Sequence, residues 1–152
     1  MSINTINVHI KVKDFKKSLA FYESLGFVKV FSYGPDQEVK EHYSGATFQH
    51  GTTMLEIADG HKGVKPHVFE ETVTSSKISL FIGVDSISEM LETCKKAGIE
   101  PIVGVRHYHW GKLEFVIRDP DGVILVFFAT YSKEEAEKVH ADESFATMVP
   151  LE

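Results

Sequence analysis

Apolar and polar residues alternate over positions 6–12 (INVHIKV), the period of a strand with one buried face. The rhythm then becomes helical: Asp14 stands at the N-cap position, and Phe15, Leu19, Tyr22 and Leu25 fall on one face. Gly26 supplies a left-handed stop. Strands are predicted over 27–33, 46–50 and 53–58, with a turn at Gly34-Pro35-Asp36 and a tight hairpin at Gly51-Thr52. The same succession then returns. A strand over 77–84 leads into Ser86 and Glu89 at capping-box spacing, and Ile87, Leu91, Cys94 and Ala97 mark the inward side of a second helix, closed by Gly98. Further strands are predicted over 101–107, 113–117 and 123–129. Asp119-Pro120-Asp121-Gly122 forms the last turn, with Asp119 placed to accept from the backbone. Ser132 and Glu135 open a final helix over 133–140, and 141–152 lacks a strong pattern and reads as a loose tail.

At a constant offset of 72 residues, 8–27 aligns with 80–99: Val12 with Val84, Asp14 with Ser86, Leu19 with Leu91, Gly26 with Gly98. One β-α-β-β-β module is therefore written twice. The expected organisation is a single duplicated domain over 1–132, with module one at 5–58, a linker at 59–77 and module two at 78–130, followed by a helix and tail over 133–152. The fold class is α+β: tandem βαβββ modules forming a curved, partly closed mixed sheet around a cavity.

Composition narrows the function without naming it. A chain of 152 residues, 43% hydrophobic, can bury a substantial core. The single cysteine, Cys94, excludes an internal disulfide and sits in an apolar helical pattern as a packed thiol. The net charge of −6 lies mostly at the end: 133–152 holds two lysines and six acids, leaving a balance of −2 for the body. Such a body has no basic stripe for nucleic acid. No apolar run is long enough for a bilayer and no signal-like N-terminus is present, so the expectation is a cytoplasmic protein without a membrane partner.

Two stretches carry a family resemblance: VKDFKKSLAFYESLGF at 12–27, and HWGKLEFVIRDPDG at 109–122 followed by an apolar strand ending Phe127-Phe128-Ala129. Over about residues 5–130 the chain resembles the glyoxalase/bleomycin-resistance/dioxygenase superfamily, the vicinal oxygen chelate fold, and the second stretch is most similar to the bleomycin-resistance branch. Metal-using members hold one divalent ion with four inward side chains, which map here to Asn7, Glu56, Ser79 and Val126. Only Glu56 is a good ligand, so the chain departs from that pattern and is expected to hold no metal and no cofactor. The alternative is one divalent ion on a displaced site of His9 and Glu56, since His9 shares the face of Asn7. His107 and His109 read as surface histidines near a strand end, and His61 and His67 fall in the linker.

Alternation assigns Asn7, His9, Met54, Glu56, Ser79, Phe81, Ile124, Val126 and Phe128 to the ligand-facing set, an apolar surface with a few polar points. A carboxylate facing such a surface bears a desolvation cost. Glu56 is thus a candidate general base, a holder of a cationic ligand group, or a partner of Lys11 or His9. Trp110 is either a stacking surface for a planar ligand or an ordinary core or interface tryptophan. The resemblance implies a small-molecule binding protein that sequesters a planar or aromatic ligand unchanged, as a homodimer with grooves between subunits. The alternative within the same superfamily is a metal-dependent lyase, isomerase or dioxygenase using Glu56 and His9.

Overall fold

Each copy of the repeat builds a four-stranded mixed sheet of the same topology, ordered β1-β4-β3-β2 in the first and β5-β8-β7-β6 in the second. The computed structural model describes residues 1–60 and 63–147, which fall into two units, Met1–Val73 and Thr74–Glu152. The first unit contains β1 (Val8–Lys11), α1 (Phe15–Ser24), β2 (Lys29–Tyr33), β3 (Gly45–His50), β4 (Thr53–Ala58) and α2 (Pro66–Glu70). The second contains β5 (Ser79–Gly83), α3 (Ile87–Lys96), β6 (Val103–Tyr108), β7 (Lys112–Arg118), β8 (Ile124–Thr130), α4 (Lys133–Lys138) and a 3₁₀ turn at Glu143–Phe145. In both units the first strand pairs in parallel with the last, and the intervening strands are antiparallel. The curved mixed sheet expected from the sequence is realised as two separately hydrogen-bonded sheets, neither closed on itself.

The repeated helix signals act identically. Asp14 accepts from Lys17 N at 3.1 Å, and Ser86 Oγ accepts from Glu89 N at 3.2 Å. At the other ends Gly26 (φ 90°) and Gly98 (φ 71°) take the left-handed conformation. Phe27 N reaches Tyr22 O at 3.2 Å and Ile99 N reaches Cys94 O at 2.9 Å, so both helices end in Schellman motifs. Each helix covers one face of its own sheet. In the first unit Tyr22 meets Phe48 with ring centroids 5.7 Å apart over buried Ile10, Leu55 and Ile57. In the second, Phe115 and Phe127 stack at 5.3 Å among Ile87, Cys94, Leu113 and Leu125. Burial pushes the Cys94 thiol up to about 11, as suits a packing group rather than a nucleophile.

Four details differ from the sequence reading. Ser18, not Leu19, is fully buried on α1, because 15, 18, 22 and 25 follow the narrow seam of a straight helix. Ala97 is exposed because α3 has already ended at Lys96. The stretch read as a linker contains α2, started by Pro66 and anchored by buried Phe69, while His61 lies outside the described residues. The tail is tied down as far as it is described: Asp142 N donates to Val105 O and His107 N donates to Asp142 O, both at 2.9 Å. These bonds satisfy backbone groups on the edge strand β6. Residues 148–152 lie outside the described residues.

One carboxylate joins α4 to α3. Glu135 accepts from Ser86 Oγ (2.8 Å), Ser88 N (2.9 Å) and Ser88 Oγ (2.8 Å), and Lys138 Nζ lies 3.6 Å away. It thus satisfies the Ser88 N–H in the first turn of α3 and places a negative charge at that helix start. The Ser88 backbone N–H and the two hydroxyls hold its carboxyl down to about 2. A depressed carboxyl contributes stability above the ordinary carboxylate range and loses it as pH falls toward the lowered value. Glu135→Gln is expected to cost about 1–2 kcal/mol at pH 7. The difference from the parent chain should vanish between pH 4.5 and about 2, as followed by denaturant melts across that window.

Candidate functional site

Strand alternation gives each sheet one face under its helix and one opposite. In the first unit Leu55 and Ile57 point under α1, so Met54 and Glu56 take the other face. Register places His9 beside Glu56 on β1 and Thr47 beside it on β3, and Phe31 and Tyr33 pair with Thr47 and Gly45. Glu56 is the centre of a polar cluster there. Tyr33 Oη donates to Glu56 Oε1 at 3.1 Å, and His9 Nε2 lies 3.9 Å from the same oxygen, with side-chain exposures of 51% for His9 and 40% for Glu56. Burial, followed by the bond to the Glu56 carboxylate, pushes the Tyr33 hydroxyl far above its ordinary value and fixes it as a donor. Gly45 permits this arrangement, because a Cβ there would run into the Tyr33 ring. Tyr43 meets the same ring edge-on at 5.6 Å.

Of the other first-unit candidates, Met54 is on this face and partly exposed. Asn7 precedes β1; its Oδ1 accepts from Met54 N at 3.1 Å and its Nδ2 donates to Thr5 Oγ1 at 3.2 Å. That amide is occupied in tying the chain to the start of β4. Lys11 makes no pair with Glu56 among the described residues, leaving His9 as the basic neighbour.

The second unit presents a different surface. Leu125 and Phe127 point under α3, so Ser79, Phe81, Ile124, Val126 and Phe128 share the opposite face, as alternation predicts. Phe81 stacks on Phe128 at 4.2 Å, Lys112 Nζ lies 5.8 Å from the Phe128 ring, and Val126 sits between Phe81 and Val116 in the ladder. Phe81 remains 57% exposed.

Beside it, the hairpin from β6 to β7 turns through His109, Trp110 and Gly111, with Gly111 at φ 76° closing the turn by donating to Tyr108 O at 3.0 Å. Trp110 is 52% exposed, which removes the core-tryptophan reading. Its indole lies flat on Tyr108 (centroids 4.5 Å, 4° between planes), and its Nε1 donates to Glu114 at 3.2 Å. Glu114 is the carboxylate that sequence reasoning missed. It pairs across the sheet with Phe128 and Arg106, is only 7% exposed, and has no ion-pair partner among the described residues. Desolvation raises its pKa, opposed by the Trp110 bond. His107 is also not a surface histidine: it stacks on Tyr131 at 3.7 Å and pairs through Nδ1 with Glu143.

The positions mapped from the resemblance differ in what they offer an ion. His9 and Glu56 offer two donors in the first unit, Asn7 is engaged elsewhere, and in the second Ser79 offers one neutral hydroxyl and Val126 none. Among the described residues no three His, Cys, Asp or Glu side chains are grouped to hold a metal. No helix among them is long and apolar enough to cross a membrane.

Comparison with known proteins identifies the family and the fold. Residues 2–127 match the model of the Glyoxalase/Bleomycin resistance protein/Dioxygenase superfamily. A bleomycin resistance protein of Klebsiella pneumoniae is 31% identical over 120 residues, which cover 74% of this chain and 82% of that one. Among solved structures, a bleomycin resistance determinant encoded on transposon Tn5 superposes with a TM-score of 0.56 at 26% identity, over 86% of this chain and 100% of the other. The fosfomycin resistance protein FosX of Listeria monocytogenes, as a point mutant complexed with Mn(II) and 1S,2S-dihydroxypropylphosphonic acid, shares the fold: TM-score 0.66, 18% identity, 91% of this chain and 99% of that one.

Glu114 gives a direct test of this surface. A raised carboxyl stabilises the fold at low pH, and that contribution is lost as pH rises through its raised value. Glu114→Gln retains an acceptor for Trp110 without the desolvated charge. It is expected to stabilise the free protein at pH 7 by on the order of 1 kcal/mol, with the gain disappearing at about pH 4, as read by thermal melts at the two pH values.

Proposed function

This chain belongs to the glyoxalase/bleomycin resistance protein/dioxygenase superfamily, and we propose that it is a metal-independent receptor that sequesters a planar organic molecule carrying one cationic group. The observation that carries this reading is Glu114, a buried carboxylate without a counter-ion among the described residues, whose one hydrogen-bond donor is a half-exposed tryptophan. A ring stacked on Trp110 gains contact area at small entropic cost, and a positive group beside it supplies the charge partner that Glu114 lacks. The Phe81–Phe128 stack and Val126 extend the apolar surface.

Holding a ligand in this way requires no nucleophile, and the packed Cys94 thiol supplies none. Similarity to bleomycin resistance proteins supports a resistance role; action in the cytoplasm as a homodimer is part of the same proposal. The nearly balanced charge of residues 1–132 favours a ligand with a single cationic group over a strongly cationic glycopeptide. The first unit carries its own polar cluster of His9, Tyr33 and Glu56, in which the Tyr33 hydroxyl already donates to Glu56.

The test is a fluorescence titration of the single tryptophan with planar cationic drugs, alongside drug susceptibility on expression. Saturable quenching is expected, and Glu114→Gln should weaken binding about tenfold or more while a neutral ring of the same size is hardly affected. Absence of saturation with every such drug, together with unchanged susceptibility, removes the proposal. A stoichiometric divalent ion in protein purified without chelator would instead favour a metal-dependent lyase, isomerase or dioxygenase built on His9 and Glu56.

A further inference from the structure

Trp110 sits at the tip of a short hairpin, where an exposed indole ordinarily samples several rotamers. Here three contacts restrict it: Tyr108 sets the ring plane, His109 meets the indole edge-on at 4.7 Å, and Glu114 sets the direction of the N–H bond. Tyr108 in turn meets Phe145, whose ring centroid is 5.6 Å away, and Arg106 Cζ lies 4.5 Å over that same Phe145 ring. Phe145 belongs to the segment after α4, far from the hairpin in sequence and held against β6 by the Asp142 backbone bonds and the Glu143–His107 pair. Asp142 also accepts from Ser144 N at 2.9 Å and Ser144 Oγ at 2.6 Å, which shapes the 3₁₀ turn that delivers Phe145.

We propose that this C-terminal segment is a working part of the ligand face: Phe145, acting through Tyr108, is a positioning residue that preorders Trp110 for stacking. The inference deepens the reading of Trp110 as the ligand's stacking surface and rests on it for its functional consequence. Its physical basis is the ordering cost of binding. An indole fixed before the ligand arrives loses less freedom on complex formation, so contacts remote from the ligand raise affinity. Phe145, 39% exposed, is flanked by the Arg106 guanidinium and the Tyr108 ring, the two contacts through which it would supply such support.

The experiment uses full-length Phe145→Ala, with Phe145→Tyr as rescue and Glu143→Gln as an independent way to loosen the segment. Ligand-free Trp110 fluorescence comes first. Phe145→Ala and Glu143→Gln should shift the emission and increase acrylamide quenching with far-UV circular dichroism unchanged, and Phe145→Tyr should restore the parent values. Affinity for a planar cationic drug should then fall roughly two- to tenfold in Phe145→Ala, the range for losing one aromatic contact. Emission and quenching identical to the parent in Phe145→Ala overturn the inference, and if that variant fails to fold, the same lack of change in Glu143→Gln overturns it. A parent protein that binds no drug while the quenching changes as expected defeats the receptor reading and leaves the positioning of Trp110 supported.

Discussion

Parallel pairing of the first strand with the last in each module is the constraint from which the chemistry follows. It fixes Val8 opposite Leu55 and Leu80 opposite Leu125, and so commits one row of side chains to the helix-covered core. The alternate row has no choice of face. Sliding either pairing by one residue would put His9 and Glu56 under α1, or Phe81 and Val126 under α3, and expose the aliphatic core. The Schellman glycines support the same register, because they end each helix at a set distance from its strand and return the chain for the antiparallel part of the sheet.

On this common scaffold the two copies have acquired different surfaces. In the first, one carboxylate oxygen is shared between a tyrosine hydroxyl and a nearby imidazole, and the residues remain partly hydrated. In the second, aromatic rings dominate, and the carboxylate is buried with a single indole donor. The two acids therefore behave differently although both lie on the alternate row of a sheet. Glu56 has polar company and water, while Glu114 bears the cost of removal from water with little local compensation.

What was legible in the sequence was whatever depends on local spacing. The caps at Asp14 and Ser86, the stops at Gly26 and Gly98 and the turn at Asp119 follow from residues within a few positions of one another. Period-two alternation was enough to put His9 with Glu56 and Phe81 with Val126 and Phe128. Contacts that skip a strand were not legible. Tyr33 reaches Glu56 across β3, and only the absence of a side chain at Gly45 leaves it room. Glu114 looked like one polar position in an alternating strand, and its burial depends on Trp110 turning back from the hairpin four residues earlier. The segment around Phe145 carries no periodic signal because its order comes from an edge strand and from aromatic rings distant in sequence.

The charge on Glu114 is the part of the second surface that packing alone does not require. A glutamine at that position could accept from Trp110 and fill nearly the same volume without the desolvation cost, so an ionised carboxylate is expected to weaken the free protein relative to its neutral counterpart. That cost becomes selective when a ligand is considered. In the proposed function a neutral ring would recover only stacking on the indole, whereas a ring with an adjacent cation would also relieve the buried anion, and the difference between the two is the discrimination expected of the site. In the proposed receptor, stability would be given up in the free state for a contact made only in the complex, an exchange expected where recognition rather than packing determines the residue.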